Sequence, residues 1–386
     1  MSNLSLPINI NQNIKYLTLL DCIDQIKDPR RDHSKKHPFV SVMVIAICAV
    51  IAGATGWTDI QEFALDYQDE FGNFLYLPYG IPSHDTFGRV FSLIHPIELQ
   101  TALSLWMEQE VFLDVAELRE HLVCDGKILR GVKSDFPLAF INVWGVRRES
   151  IIGQERIHND ANEITTLPVI LNRLFLKGAI ISIDAIGCQK KIARIIKRKE
   201  ANYVFALKKN QHNLYEDVAL YMRDYERGIF DREQHDYFKT EECVHGRYDI
   251  RECWSTSHIE WLYQRHQWAG LEKLIMVKNT RITKGHVVTS YRYYITSLNV
   301  PTEMLTRLIR EHWHIENKLH WTLDTHFNED QCTIRDRFGC QNISWLRGVA
   351  ISLLRKNPLN NGVRAIKSRA SRNIAINLNI LCLNTL

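Results

Sequence analysis

Three observations in the sequence predict a mixed α/β fold preceded by a small helical domain. Short β-rich runs first arrive as a hairpin-linked set of three, and apolar strands then alternate with amphipathic helices. Helical patterns flank this block on both sides. A chain of 386 residues allows two or three folded units at roughly 150 residues each. Hydrophobic residues at 45% and charged residues at 24% exclude a disordered, collagen-like or coiled-coil chain.

Residues 27–37 carry five Lys/Arg against two Asp, whereas residues 59–120 carry twelve acids against two bases. A basic arm therefore leads into an acidic, helical unit, with helices expected at 39–53, 58–71, 83–93 and 96–111. Ser83 and Pro96 serve as start signals. The sixteen-residue apolar run 39–54 is shorter than the ~18 residues of a bilayer span and is read as a buried helix. Strands follow at 121–126, 139–146 and 150–158. Next comes a helix at 163–175, with Leu167, Ile170, Leu171 and Leu174 on one face, ending near Gly178. The run GAIISIDAIG (178–187) suits a strand buried on both faces, and a helix at 189–199 and a strand at 203–209 complete the series. The order β-β-β-α-β-α-β is that of the ribonuclease-H-like fold. The core is accordingly expected at 116–212 and 301–360, after an N-terminal domain at 1–115. The runs RYDIRECWST, KLIMVKNT and HVVTSYRYYITSL predict a β-rich insertion over 213–300, and 361–386 reads as a basic tail.

Nine cysteines, odd in number and without a C-x-x-C pair, argue against a disulfide framework or a ribbon-type zinc site. The first twenty residues lack the features of a signal peptide. A reducing bacterial cytoplasm and no membrane are the expectation.

Three carboxylates carry the chemical argument. Asp125 ends the first apolar strand in V-C-D-G-K, where Gly126 is expected to let the chain turn sharply. Asp184 ends the fourth strand in I-S-I-D-A-I-G, a neighbour of the first in a sheet of this order. An Asp after a strand is also a common turn or cap residue, so each alone carries little weight. Glu316 lies in a helix read over 303–323, whose Leu305, Leu308, Ile309, His312, Glu316, Leu319 and Leu323 recur at three and four. That spacing places Glu316 on the buried stripe, where a glutamate needs a cation. Arg310 and Lys318 point elsewhere on the wheel. If the acids meet at about 4 Å with an effective dielectric near 20, each pair repels by roughly 4 kcal/mol. Three pairs approach the stability of a whole domain. Protonation or a divalent cation must relieve them, and hard oxygen donors select Mg²⁺ or Mn²⁺ over zinc. A pair of such ions supports in-line phosphoryl displacement, so the inferred chemistry is phosphodiester cleavage or transfer.

A net charge of only +4 means that a nucleic acid must be held by local patches. Lys127 and Arg130 follow Asp125. Lys190, Lys191, Arg194, Lys197, Arg198 and Lys199 line the helix after Asp184, and Lys208, Lys209, Asn210 and Gln211 follow the next strand. A charge run is ordinarily a solvated face, yet residues 345–386 add seven Lys/Arg and no acid, which tips the balance toward a polyanion. His312, His314, His320, His326, Cys332 and Cys340 cluster locally, but their spacings match no standard zinc finger. Trp313, Trp321 and Trp345 are read as core residues rather than base-stacking platforms.

The motifs D-G-K-x-L-R-G (125–131), N-E-I-T-x-L-P (162–168), D-A-x-G-C-Q (184–189), L-K-x-N-Q (207–211), H-G-R (245–247) and H-W-x-I-E-N-x-L-H-W-x-L-D with N-E-D (312–330) resemble the H-repeat-associated insertion-sequence transposases, a branch of the DDE transposases. The run from His37 to Trp57 resembles their associated N-terminal domain. The resemblance implies a ribonuclease-H-like core in which Asp125, Asp184 and Glu316 bind two Mg²⁺ or Mn²⁺ ions, with the insertion lying between Asp184 and Glu316. It implies DNA as partner, both element ends and target, and a homo-oligomer on DNA. Lys127, Arg130, Lys208, Asn210, Gln211, His245, Arg247 and His312 become the candidate DNA contacts. Ile128 stands where many relatives carry Thr. In the Tyr, Arg, Glu, Lys row of related branches, His312 takes the Arg place and Leu323 the Lys place. A DDE transposase that cleaves and transfers DNA strands is the expected function, and a DNA-binding descendant without chemistry is the alternative.

Overall fold

Apolar spacing, caps and glycines set the boundaries of the N-terminal helices α1 (Leu19–Asp24), α2 (Phe39–Ala52), α3 (Trp57–Asp66), α4 (Gln68–Gly72), α5 (His84–Leu93) and α6 (Pro96–Glu110). The computed structural model describes residues 17–110, 120–130, 138–229, 236–244, 246–357 and 362–383. Helix α2 is apolar on every side and almost wholly buried, as expected of a core helix. Gly53, at φ 108°, ends it by returning its N–H to the carbonyls of Ala49 and Val50. No single helix among the described residues is long and apolar enough to cross a membrane.

The core then runs β1 (His121–Leu129), β2 (Leu138–Gly145), β3 (Ser150–Ile157), α7 (Glu163–Arg173), β4 (Ile180–Ile183), α8 (Lys190–Arg198) and β5 (Asn202–Leu207). It is a ribonuclease-H-like arrangement: β1 to β3 are antiparallel, β1, β4 and β5 parallel. The segment expected to be a β-rich insertion opens with a helix, α9 (His212–Glu226), and continues with β6 (Asp236–Val244), β7 (Arg247–Thr256), β8 (Lys273–Thr283) and β9 (His286–Thr296). It is no separate body. β9 pairs antiparallel with β5, giving one nine-stranded sheet in the order β3-β2-β1-β4-β5-β9-β8-β7-β6. The reason lies in the inner half of β9, where Tyr293, Tyr294 and Ile295 bury against the core while residues 286–292 stay open to solvent.

The chain closes with α10 (Thr302–Glu311), a π-helical segment Ile315–His320, α11 (Trp321–His326), α12 (Arg337–Lys356), α13 (Gly362–Ala370) and α14 (Ile374–Ile380). Helix α12 is buried nearly all round because it lies between β3 and the helices α2, α5 and α6. Asn342 within it donates to the carbonyls of Phe91 and Ile94 at 2.8 and 3.0 Å, closing the end of α5. The N-terminal helices therefore share one hydrophobic core with the C-terminal ones. The basic C-terminal stretch, read from composition as a tail, is largely helical, with Val363, Ile366, Ala370 and Ile374 buried.

Candidate active site

Strand register brings the first two acids together. β1 and β4 pair in parallel from His121↔Ile180 to Cys124↔Ile183, and the next residue on each strand is Asp125 and Asp184. Neighbouring strands lie about 4.8 Å apart, and equivalent positions share a face, so the two carboxylates leave the sheet side by side. Asp184 does so just past the carboxyl end of β4, the usual location of a ligand crevice in such sheets, and Asp125 from within β1 where its pairing with β4 ends. Asp184 Oδ1 accepts from the N–H groups of Ile186 (3.1 Å) and Gly187 (3.4 Å), which fixes its rotamer.

Gly126 does not turn the chain, contrary to the sequence expectation. β1 continues through it to Leu129, paired with Ile141 of β2. The missing side chain makes room for a neighbour instead: a Cβ would lie 2.2 Å from Glu163 Oε1. Glu163, in the first turn of α7, is thus a fourth carboxylate at the site. Burial and then Asp184 push its pKa up. Sequence reasoning passed over it, although the N-E-I-T motif holds it.

Glu316 lines the same cavity, of about 350 Å³, as Asp125 and Asp184. It is exposed rather than on the buried stripe. Ile315 faces inward in its place, with Leu319, from a segment that is π-helical. Burial raises the Glu316 pKa, opposed by Arg292 on β9. Arg292 also lines the cavity and lies 5.3 Å over the Trp313 ring. The insertion thus contributes a cation and a run of tyrosines that sequence reading did not single out. The Asp125 carboxyl is pushed up to about 7, first by burial, then by Asp184 and Glu316. This is the like-charge signature of acids sharing one space.

Two buried hydrogen-bond chains flank these acids. In the first, Ser344 donates to Glu329 (2.8 Å), Gln154 donates to Ser344 (3.1 Å) and to Asn142 Oδ1 (3.0 Å), and Asn142 donates to His320 Nε2 (3.2 Å). The remaining His320 nitrogen, Nδ1, lies 3.6 Å from Asp125 Oδ2. In the second, Glu311 is 3.0 Å from His121 Nδ1, His121 Nε2 is 2.8 Å from Ser182 Oγ, and Ser182 Oγ is 3.0 Å from His312 Nδ1. His312 therefore presents Nε2 as its free nitrogen on the cavity wall. Burial drives the pKa of His312 down to about 4 and that of His320 down to about 3, so both are neutral near pH 7.

The expected DNA contacts divide. Lys208 and His312 line the acid cavity. Burial holds His312 uncharged there in the absence of DNA. Lys127 is corrected: it is buried, and its Nζ holds Asp324 Oδ1 at 2.6 Å, tying β1 to α11. Asn210 and Gln211 donate to the carbonyls of Ala185 (2.5 Å) and Cys188 (3.0 Å), so their amides brace the loop behind Asp184. Arg130 is exposed near Asp330, 3.9 Å away. Arg247 pairs with Asp249 at 2.9 Å on the outer strands, off the cavity wall. His245 lies outside the described residues. On α8, Lys197 and Lys199 are drawn into hydrogen bonds with Asn202 and with the carbonyls of Asn172 and Leu174. Trp345 is core, but Trp313 and Trp321 are exposed, against the sequence expectation. Among the described residues no three His, Cys, Asp or Glu side chains are close enough to hold an ion unaided. The acids stand as walls of an open cavity.

Aspartates on two adjacent strands of a ribonuclease-H-like sheet, with a helical glutamate on the wall of the same cavity, are the arrangement expected of a DDE-type transposase domain. The family described as Transposase DDE domain matches residues 142–353, and the one described as DDE_Tnp_1-associated matches residues 20–107. "H repeat-associated putative transposase YhhI" of Escherichia coli K12 is 34% identical over 353 residues, covering 87% of this chain and 90% of that protein. "Putative transposase YncI" of Escherichia coli O157:H7 is 33% identical over 368 residues, 92% of each chain. The shorter "Inactive transposase YbfQ" of Escherichia coli K12 is 39% identical over 77 residues, covering 19% of this chain and 88% of that protein. The chain belongs to the H-repeat-associated branch of the DDE transposases.

Proposed function

We propose that this transposase cleaves DNA strands at insertion-sequence ends and transfers them to a target, with Asp125, Asp184 and Glu316 as its catalytic, metal-binding acids. The observation that carries this reading is the convergence of the three on one cavity, with Asp125 pushed up to about 7 by burial and its two neighbours. The donor set fits a hard divalent cation. It consists of carboxylate oxygens, and the nearby Cys124 thiol is buried, with its pKa pushed up to about 12. Mg²⁺ commonly takes one or two carboxylates and completes its shell with water and substrate phosphate oxygens. An open cavity with two adjacent aspartates and a glutamate on the wall suits that habit.

Two bound Mg²⁺ or Mn²⁺ ions supply activation of water or a 3′-hydroxyl and stabilisation of the leaving oxygen. Asp125 and Asp184 hold the sheet side of this centre, and Glu316 the helix side. Lys208 and Arg292 supply positive charge on the cavity wall for a scissile phosphate. The neutral His312 offers Nε2 as a hydrogen-bond acceptor. DNA, and an oligomer assembled on paired ends, are the partners this reading requires.

The test is nicking of supercoiled plasmid carrying the element's own ends, with Mg²⁺, by wild type and by Asp184→Asn. Nicking by the wild type alone supports the proposal. Equal nicking by both, or none by either, removes it in favour of a DNA-binding descendant.

A further inference from the structure

A second cavity, of about 750 Å³, opens between α11, the end of α12 and α13, apart from the acids. Arg355, Arg364, Arg369 and Arg372 line it, together with Trp321 and His326, and no carboxylate does. The fold uses some of the C-terminal positive charge internally. Arg347 is fully buried beside Glu329, Arg355 donates to the carbonyl of Lys318 at 2.9 Å and faces Glu149, and Lys367 donates to the carbonyl of His326. Arg364, Arg369 and Arg372 are left exposed, and none of them forms an ion pair among the described residues. The excess charge is felt locally. Burial, and after it the neighbouring cations including Arg364, lower the pKa of His326 and Lys367.

The aromatic member distinguishes the ligand. Trp321 is 56% exposed, an unusual state for an indole, and it meets the His326 ring edge-on at 5.2 Å. Carboxylates alone would satisfy the guanidinium groups but leave the exposed indole without a stacking partner. A nucleic acid brings both a chain of phosphates and flat bases. Trp321 also follows directly on the π-helical segment that carries Glu316. Five residues of helix advance only about 7 to 8 Å along the axis at 1.5 Å each.

We propose that this groove is a second DNA-contact site, in which Arg364, Arg369 and Arg372 bind consecutive backbone phosphates and Trp321 stacks on an unpaired base. The proposal rests on the transposase reading only for the identity of the polyanion.

The test is fluorescence anisotropy of the full-length protein with labelled duplex and single-stranded oligonucleotides of one sequence, in EDTA, across a salt series. Replacing Arg364, Arg369 and Arg372 together by Gln should lower the slope of log affinity against log salt by about 2.7 on duplex or about 2 on single strand, from three lost contacts at ~0.9 or ~0.7 each. The corresponding Lys triple should restore the slope, which separates loss of charge from loss of fold. Trp321→Ala should weaken single-strand binding by roughly 5- to 150-fold while Trp321→Phe keeps most of it, with little change on duplex. An unchanged slope in the Gln triple overturns the site. So does equal competition by polyglutamate of matched charge, which would make it an acidic-peptide groove, and so does an equal loss on duplex and single strand for Trp321→Ala. Because EDTA silences metal chemistry, this outcome is independent of the nicking result.

Discussion

Replacing Asp125 by Asn should abolish nicking and yet stabilise the metal-free protein. The Asp125 carboxyl rises from the usual 3.8 to about 7, with burial as the largest cause and Asp184 and Glu316 next. The sign follows from linkage. A group whose folded pKa lies above its unfolded value contributes stability that is fully present below the unfolded pKa and is lost as pH rises through the folded one. For Asp125 the window runs from about pH 4 to about pH 7. Three units at 1.36 kcal/mol each make the full effect about 4 kcal/mol at pH 8, of which the step from pH 5 to pH 8 accounts for about 3 kcal/mol. The side chain is only 22% exposed, so solvent screening removes little of this. Urea unfolding in EDTA at the two pH values measures it, and Asp125→Asn, which cannot ionise, should lack this contribution to the pH dependence. Adding Mg²⁺ should narrow the gap by stabilising the wild type selectively. A variant less stable than wild type at pH 8, or a gap that ignores both pH and Mg²⁺, would refute the claim that burial and the neighbouring acids together disfavour the Asp125 carboxylate.

The Lys127–Asp324 pair should respond asymmetrically, since the lysine side chain is 7% exposed and the aspartate 35%. Asp324→Asn strands a buried ammonium and should cost about 3 kcal/mol in urea unfolding, whereas Lys127→Met leaves a partly solvated carboxylate and should cost about 1 kcal/mol. Equal costs would contradict that picture. Gly187→Ala would place a methyl 2.2 Å from Ile183 Cγ2 and 2.8 Å from Leu167 Cδ1, so a loss of roughly 1 to 3 kcal/mol is expected, with nicking reduced through the displaced Asp184 loop. Asn210→Ala and Gln211→Ala should slow nicking while leaving the salt slope of DNA binding as it was. A reduced slope would return them to the role of phosphate contacts.

The strand acids were legible because each closes an apolar run that could only be a buried strand. Parallel pairing then made Asp125 and Asp184 neighbours. Glu316 was found for a reason the structure reverses. Ile315 meets three-and-four spacing as well as Glu316 does, so the pattern alone did not choose between them, and an acid on the cavity wall read as one on the buried stripe. Glu163 escaped notice because a helix-start glutamate is ordinarily a favourable charge near the N-terminus. Its contact with Gly126 exists only once α7 is folded onto β1. The insertion was read as β-rich without its opening helix α9, whose buried Leu214, Val218, Ala219 and Met222 do recur at helical spacing. What misled there was the aromatic content of the strands that follow.

The two strand acids are positioned by local pairing, but the third depends on ties across long stretches of chain. Lys127 reaches Asp324 over 197 residues, Asn142 reaches His320 over 178, and Lys318 reaches Glu149 over 169. All three ties join the β1–β3 side of the sheet to the segment carrying Glu316. Sheet register survives the loss of any one of them, because strand pairing and the apolar core hold it separately. The helix side has fewer such supports: Asn317, Lys318 and Trp321 are not buried, and their helix is anchored by Ile315, Leu319 and Leu323. Local opening therefore starts there at lower cost than in the sheet. Breaking one of these ties, as in Asn142→Ala, should therefore slow nicking while leaving the sheet intact; nicking at the wild-type rate would show that Glu316 does not depend on it.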